Sequence, residues 1–273
     1  MASDQTLISA EELLEQLGEV VVFDCRFQLG EPGAGARAHA EGHIPGAHYL
    51  HLERDLSGAV GEHGGRHPLP DPVEFSERLA RLGVNRQTSV VAYDDNGFMP
   101  SARLWWMLRA LNYDRVRLLD GGVQAWVAAG GKLDTDSPRP TPVEPPVVGD
   151  YRHKRDVAGV RRAMAEGAFL IDSRDAARYQ GLEEPVDPVA GHIPGALNLP
   201  WQEVTDSEGF ALDEEAQLRR LALLEEDREL VVYCGSGVTA CINLLALHLA
   251  GRDDGLLYPG SWSDWCSHME SAD

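Results

Sequence analysis

The stretch ELVVYCGSGVTAC, residues 229–241, places a thiol where two backbone regimes meet. Leu230 to Tyr233 form a short apolar run of strand character, and the residues after Gly237 begin a segment with helical spacing. Cys234 stands between them, followed by Gly235, Ser236, Gly237, Val238 and Thr239. A free thiol, with a pKa of about 8.5, is mostly protonated at neutral pH, and the thiolate is the nucleophile. A turn that closes a strand and opens a helix favours the anion, through its N–H groups and the helix dipole. The glycines let the loop curl so that several amides converge on one centre. Ser236 and Thr239 add hydroxyl donors. The bland alternative is a buried core cysteine, because free cysteine is among the most buried residue types. The glycine-bearing context favours the reactive reading.

The same pattern is written twice in the chain. GHIPGAHYL at 42–50 returns as GHIPGALNL at 191–199, and VVFDCR at 21–26 as FLIDSR at 169–174. SVVAYDDNG at 89–97 returns as ELVVYCGSG at 229–237, and DGGVQAW at 120–126 as YPGSWSDW at 258–265. Four blocks in one order imply two homologous domains. The offset is 149 between His43 and His192 and 140 between Asp94 and Cys234. The first half therefore carries about nine extra residues, which fall in the Gly/Pro/His-rich stretch SGAVGEHGGRHPLPDP.

Each half alternates short apolar strands with helices. In the second half VAGVRRAMAEG, EEAQLRRLALLEE and GVTACINLLALHLAG have helical spacing, and FLID, ELVVYC and GLLYPG are strands. This order predicts an α/β fold: two tandem domains, each a mostly parallel central sheet with helices on both faces. The expected boundaries are a first domain at 1–131, a linker at 132–150 with five prolines, and a second domain at 151–273.

Composition narrows the function classes. Hydrophobic content of 43% and charged content of 25% suit a globular chain, and no apolar run is long enough for a membrane span. The net charge of −20 argues against nucleic acid and anionic membranes as partners. An anionic substrate would need a local positive site. The acidic N-terminus has neither a basic start nor an apolar signal core, which predicts a cytoplasmic location. The four cysteines, Cys25, Cys234, Cys241 and Cys266, show no metal-type spacing. Cys241 is expected to be buried and Cys266 exposed.

DCR and DSR, the two GHIPGA blocks, YCGSGVTA and YPGSWSDW together resemble the rhodanese sulfurtransferases in their tandem form, over about residues 6–266. The resemblance implies that Cys234 takes sulfane sulfur from a donor as a persulfide and passes it to a thiol, cyanide or thioredoxin-like acceptor. It implies no cofactor. Asp94 holds the equivalent place in the first domain and cannot form a persulfide, so that domain is expected to be inactive and to supply one wall of the site. Phosphatase relatives use Cys-x5-Arg; the sixth residue after Cys234 is Ala240, which argues against phosphatase activity.

The loop Cys234-Gly235-Ser236-Gly237-Val238-Thr239 is similar to the CGSGVT of 3-mercaptopyruvate enzymes rather than the CRKGVT of thiosulfate enzymes. In the former the serine assists proton movement, a role that passes to Ser236 by match; the alternative is a helix cap. Arg178 matches the family arginine that contacts the substrate anion, while Arg174 is expected to pair with acidic neighbours. Mercaptopyruvate enzymes carry a second arginine nine residues on, where Asp187 stands here. They also pair the histidine of an HxLP segment with an aspartate. RHPLP supplies His67, but Gly58 stands near the aspartate's place, with Glu62 as a substitute; Arg66 would compensate for the missing arginine. His39, His43, His48, His51, His63 and His67 cluster in sequence, yet His43 and His192 belong to GHIPGA turns, so no metal is expected. Trp126, Trp262 and Trp265 are expected to pack, with Trp262 bordering the pocket.

The leading expectation is therefore a monomeric sulfurtransferase that uses 3-mercaptopyruvate. A thiosulfate donor is the second reading. A noncatalytic binding or redox-sensing module is the third.

Overall fold

The computed structural model describes residues 6–224 and 228–269. The chain forms two compact units. The first takes the residues up to Ser57, Pro70–Arg152 and Thr205–Ala211; the second takes Gly58–Leu69, His153–Val204 and Leu212 onward. The repeat pattern alone groups residues 58–69 with the first half and 205–211 with the second. Both segments are loop-like, and helix and strand periodicity says nothing about which core such a segment joins. The proline-rich stretch after 131 packs on the first unit: Val143 donates its N–H to Ala80 O at 2.9 Å and Arg86 Nη2 donates to Val147 O at 2.9 Å.

Within the first unit, strands β1 (Leu7–Ile8), β2 (Val21–Asp24), β3 (His48–Tyr49), β4 (Val90–Tyr93) and β5 (Val116–Leu119) form a sheet in the order β1-β5-β4-β2-β3. In the second, β6 (Phe169–Asp172), β7 (Leu197–Asn198), β8 (Leu230–Tyr233) and β9 (Gly255–Leu257) form a sheet in the order β7-β6-β8-β9. Every pairing among these strands is parallel. The central strands β4 and β8 are buried along their whole length, which explains their unbroken apolar run. The helix after each, Ser101–Ala110 and Ala240–Leu249, buries all but one of its residues, Arg109 and His248 respectively. Such helices read as apolar on every face because every face is covered.

One expected helix is shorter than its spacing suggested. EEAQLRRLALLEE forms a helix only over Glu214–Arg220, started by Asp213, whose carboxylate accepts from Ala216 N. Beyond it Leu221 and Leu224 are buried while Leu223 is 76% exposed. The chain turns there to bury two leucines. The end of the expected helix, 225–226, lies outside the described residues.

Both sheets are locked at the same register. Asp24 pairs with Tyr93 across β2 and β4, and Asp172 with Tyr233 across β6 and β8. Each aspartate binds the arginine two residues on: Arg26 Nη2 to Asp24 Oδ2 at 2.6 Å, Arg174 Nη2 to Asp172 Oδ2 at 2.7 Å. The same Nη2 atoms donate to Gly42 O at 2.7 Å and Gly191 O at 2.6 Å, the first residues of the two GHIPGA blocks. The hydroxyls of Tyr93 and Tyr233 accept from Ile44 N at 3.2 Å and Ile193 N at 3.0 Å, inside those blocks. His43 and His192 fix the turns through Nδ1, each 2.7 Å from a carbonyl, of His39 and Tyr179 respectively. Breaking a buried pair by removing one partner typically costs about 3–5 kcal/mol, and an exposed pair is worth under about 1 kcal/mol. Asp172→Ala is therefore expected to destabilise far more than Glu31→Ala, which breaks the exposed Arg37–Glu31 pair. Urea unfolding of the two variants checks this, and equal losses would contradict it.

Candidate functional site

Cys234 follows the last residue of β8, at the C-terminal edge of the sheet, where open α/β folds bind ligands. The N–H groups of Ser236 and Gly237 point at its Sγ, at 3.5 and 3.1 Å. Gly237 has φ +73°, and a Cβ there would lie 2.3 Å from Pro259 O, so the curl of the loop requires glycine. The loop is latched from outside by the YPGSWSDW block. Cys234 N donates to Ser261 Oγ at 3.1 Å, Trp262 N to Cys234 O at 2.9 Å and Ser263 N to Gly235 O at 3.0 Å. Val238 and Thr239 carry the loop into the helix, their carbonyls accepting from Cys241 N and Ile242 N, both at 3.1 Å. Thr239, at the N-cap, makes no side-chain cap.

The first repeat shows what such a loop holds when the thiol is replaced. Asp94 is buried, and its carboxylate accepts from Asn96 N at 3.0 Å, Phe98 N at 3.1 Å and Ser101 N at 2.9 Å. Burial pushes this carboxyl up, and the hydrogen bonds offset only part of that. A fixed carboxyl group thus occupies the turn that Cys234 occupies in the second repeat.

Three further groups converge on the cysteine loop within the second unit. His67 Nδ1 lies 2.8 Å from Ser236 Oγ, both residues buried. Ser236 is thus engaged with a histidine and does not cap the helix. Arg66 and Arg178 stand over Gly235: a Cβ built there would meet Arg66 Nη2 at 2.5 Å and both Arg178 Nη atoms at 3.3 Å. Both arginines bind one carboxylate, Asp187, Arg66 through Nη1 in a very short contact and Arg178 through Nη2 at 2.9 Å. Arg178 Nη2 also binds Glu184 Oε1 at 2.7 Å. Burial pushes the Asp187 carboxyl up, outweighing Arg66 and Arg178. Arg174 pairs with Asp172 and Glu184, which makes it structural as expected.

The segment carrying Arg66 and His67 is pinned to the Ser261–Ser267 helix. His63 Nδ1 meets Ser267 Oγ at 2.8 Å, Gly64 N donates to Asp264 Oδ1 at 2.7 Å and Arg66 N to Ser263 Oγ at 3.2 Å. His63, Asp264 and His268 bring three possible ligand atoms within 4.8 Å. The two imidazoles, however, stack at 4.0 Å and 14°, so their in-plane lone pairs run side by side rather than converging. The group serves here as a clamp. Glu62 is exposed rather than turned toward a buried partner.

Some expectations change. Cys266, expected at the surface, is buried among Val160, Tyr258 and Trp262, and burial pushes its thiol up to about 11. It lies within the Ser261–Ser267 helix, beside serines and an aspartate that the sequence alone does not place against a core. Cys241 and Cys25 are fully buried, and burial drives Cys25 well above its ordinary value. Trp262 is a packing residue: Nε1 donates to Val189 O at 2.8 Å and Arg174 lies over the ring at 5.0 Å. Sequence reasoning missed the counter-ion role of Glu184 and Asp187, and missed Ser261. The signal for Ser261 was present. It aligns with Gly122, and both have left-handed φ, +55° and +59°.

The Rhodanese-like domain family matches residues 9–129 and 156–268. A Pseudomonas aeruginosa protein, provisionally named a 3-mercaptopyruvate sulfurtransferase, is 44% identical, over 96% of this chain and 95% of its own. A Mycobacterium tuberculosis protein, provisionally named the thiosulfate sulfurtransferase SseB, is 40% identical, over 97% of this chain and 95% of its own. The solved structure of 3-mercaptopyruvate sulfurtransferase from Leishmania major superposes with a TM-score of 0.86 at 32% identity, covering 96% of this chain and 74% of that one. The chain belongs to the rhodanese family and is a tandem-domain sulfurtransferase. No helix among the described residues is long and apolar enough to cross a membrane.

The four thiols differ in setting, and only Cys234 has two amides directed at its sulfur among the described contacts. Substoichiometric iodoacetamide is expected to modify Cys234 before Cys25, Cys241 or Cys266, as read by peptide mass mapping. Preferential modification of Cys266 would contradict this reading of the loop.

Proposed function

We propose that the protein moves sulfane sulfur from 3-mercaptopyruvate to a thiol, cyanide or thioredoxin-like acceptor through a persulfide on Cys234. The observation that carries the reading is the pair of amides on Cys234 Sγ with the buried Ser236–His67 pair beside it. Arg66 and Arg178 hold the donor carboxylate over Gly235. The Cys234 thiolate attacks the donor sulfur and the S–S bond forms as the C–S bond breaks. The electron pair of that bond passes to the carbon, which needs a proton to become pyruvate. Ser236 Oγ delivers it, and His67 replenishes the serine. Gly235, Gly237, Val238 and Thr239 shape the loop that receives the outer sulfur. The acceptor then attacks the outer sulfur and frees the Cys234 thiolate, a two-step exchange that needs no cofactor. The reduced-thiol setting this requires suits the cytoplasm, and the internal duplication suits a monomer.

Thiosulfate is the second reading, favoured by the Mycobacterium relative. There an S–S bond breaks and sulfite leaves with the electron pair, so no carbon requires a proton.

That difference supplies the test. Ser236→Ala is expected to lower kcat for 3-mercaptopyruvate by about 100-fold, the lower end of general acid contributions, and to leave thiosulfate within a few-fold. Steady-state assays with both donors check it, with Cys234→Ser as the inactive control. A strong wild-type preference for thiosulfate would select the second reading. No transfer from either donor, with Cys234→Ser indistinguishable from wild type, would leave a binding or redox-sensing module.

A further inference from the structure

Six charged groups form one alternating chain beside the cysteine loop. Asp172 binds Arg174 at 2.7 Å, Arg174 binds Glu184 at 3.1 Å, Glu184 binds Arg178 at 2.7 Å, Arg178 binds Asp187 at 2.9 Å, and Asp187 binds Arg66. Three guanidiniums face three carboxylates, so the chain is balanced. Exposure rises along its cations, from 1% at Arg174 to 15% at Arg178 and 25% at Arg66, while the three carboxylates stay at 3% or below. The cationic end therefore faces the loop and the anionic groups lie behind it.

The division of donor atoms is specific. Arg66 gives Nη1 to Asp187 and places Nη2 over Gly235; Arg178 gives Nη2 to Asp187 and Glu184, which leaves Nη1, as near Gly235 as Nη2 is, out of those pairs. Arg66 Nε is buried with no hydrogen-bond partner among the described residues. A buried N–H left unmatched beside two donors aimed at one space marks a position for an anionic acceptor.

We infer that Asp187 is a specificity-determining residue: it holds Arg66 and Arg178 by one edge each and cancels their surplus charge, so the space over Gly235 takes a singly charged carboxylate donor and disfavours a dianion. The inference rests on the donor site proposed above and goes further, to the charge class of the donor. An incoming monoanion leaves the balanced group one charge negative, and a dianion leaves it two. Gly235 belongs to the same arrangement, because any side chain there would displace Arg66.

The experiment is calorimetric titration of the full chain carrying Cys234→Ser, which prevents turnover, with pyruvate as monoanion and thiosulfate as dianion. Adding Asp187→Asn removes one negative charge. Because Coulomb attraction scales with ligand charge, pyruvate is expected to bind about tenfold tighter and thiosulfate about 100-fold tighter. Asp187→Glu keeps the charge and is expected to keep the original ratio of the two affinities. Arg66→Gln shifts the balance the other way and is expected to weaken thiosulfate about tenfold more than pyruvate, a second route should the asparagine variant not fold. Equal factors for both anions in Asp187→Asn, or a ratio that moves as far in Asp187→Glu, would overturn the inference and reduce Asp187 to a positioning group. Wild-type turnover assays run alongside separate the two proposals. Sulfur transfer with an unmoved ratio defeats this one alone. A moved ratio with no transfer from either donor defeats the catalytic reading and leaves the charge rule standing.

Discussion

The buried aspartate–arginine pair at the end of β6 is the constraint on which the second unit depends. A carboxylate and a guanidinium placed two residues apart on a strand end cannot both be buried unless each finds further partners. Asp172 therefore also engages the Tyr233 hydroxyl, and Arg174 also engages Gly191 O and Glu184. Tyr233 is the residue before Cys234, so the demand for satisfaction reaches the Cys234 thiol through one peptide bond. The first repeat meets the same demand with Asp24, Arg26, Tyr93 and Gly42. The GHIPGA blocks are this requirement written in sequence: they return the chain to the strand end, where their amides and carbonyls complete the buried pair.

With the strand end fixed, the turn after it becomes a defined receptor for a hydrogen-bond acceptor. The two repeats fill it differently. Three amides converge on the Asp94 carboxylate and two on Cys234 Sγ. The carboxylate saturates its turn with its own oxygens and leaves nothing for a reactant. The sulfur is one atom, and a second sulfur attached to it would project into the same field of donors. The duplication thus separates two uses of one backbone device, one closed and structural, the other open.

Legibility followed the range of the interactions. The repeats, the parallel α/β class, the strand–turn–helix around Cys234 and the structural role of Arg174 depend on neighbours in sequence, and all were readable. Arg66 and His67 could be named from the RHPLP context, but their partners lie 121 and 169 residues away, at Asp187 and Ser236. No periodicity encodes those contacts. Asp187 was visible as a departure at an expected arginine, yet its role as the shared partner of two cations exists only in three dimensions. Cys266 was misjudged because its neighbours Ser263, Asp264 and Ser267 read as surface; each is occupied in holding the 58–69 segment or the Gly260 turn. The EEAQLRRLALLEE helix was overextended because buried leucines can be supplied by a turn as well as by a helical face.

The acidic character of the chain bears on why arginine carries the site. Of 24 basic residues only Lys132 and Lys154 are lysine. A lysine ammonium is a compact point charge; held by a carboxylate, it offers a further anion no second planar edge. A guanidinium has several donors in a fixed fork, so Arg66 and Arg178 can each be held by Asp187 and still present N–H groups over Gly235. In a protein with a net charge of −20, unpaired cations would draw carboxylates from the surface, and buried carboxylates alone would repel any anion. Pairing through one edge of the fork resolves both demands. It fixes the cations without consuming them, and it balances their charge beside the loop.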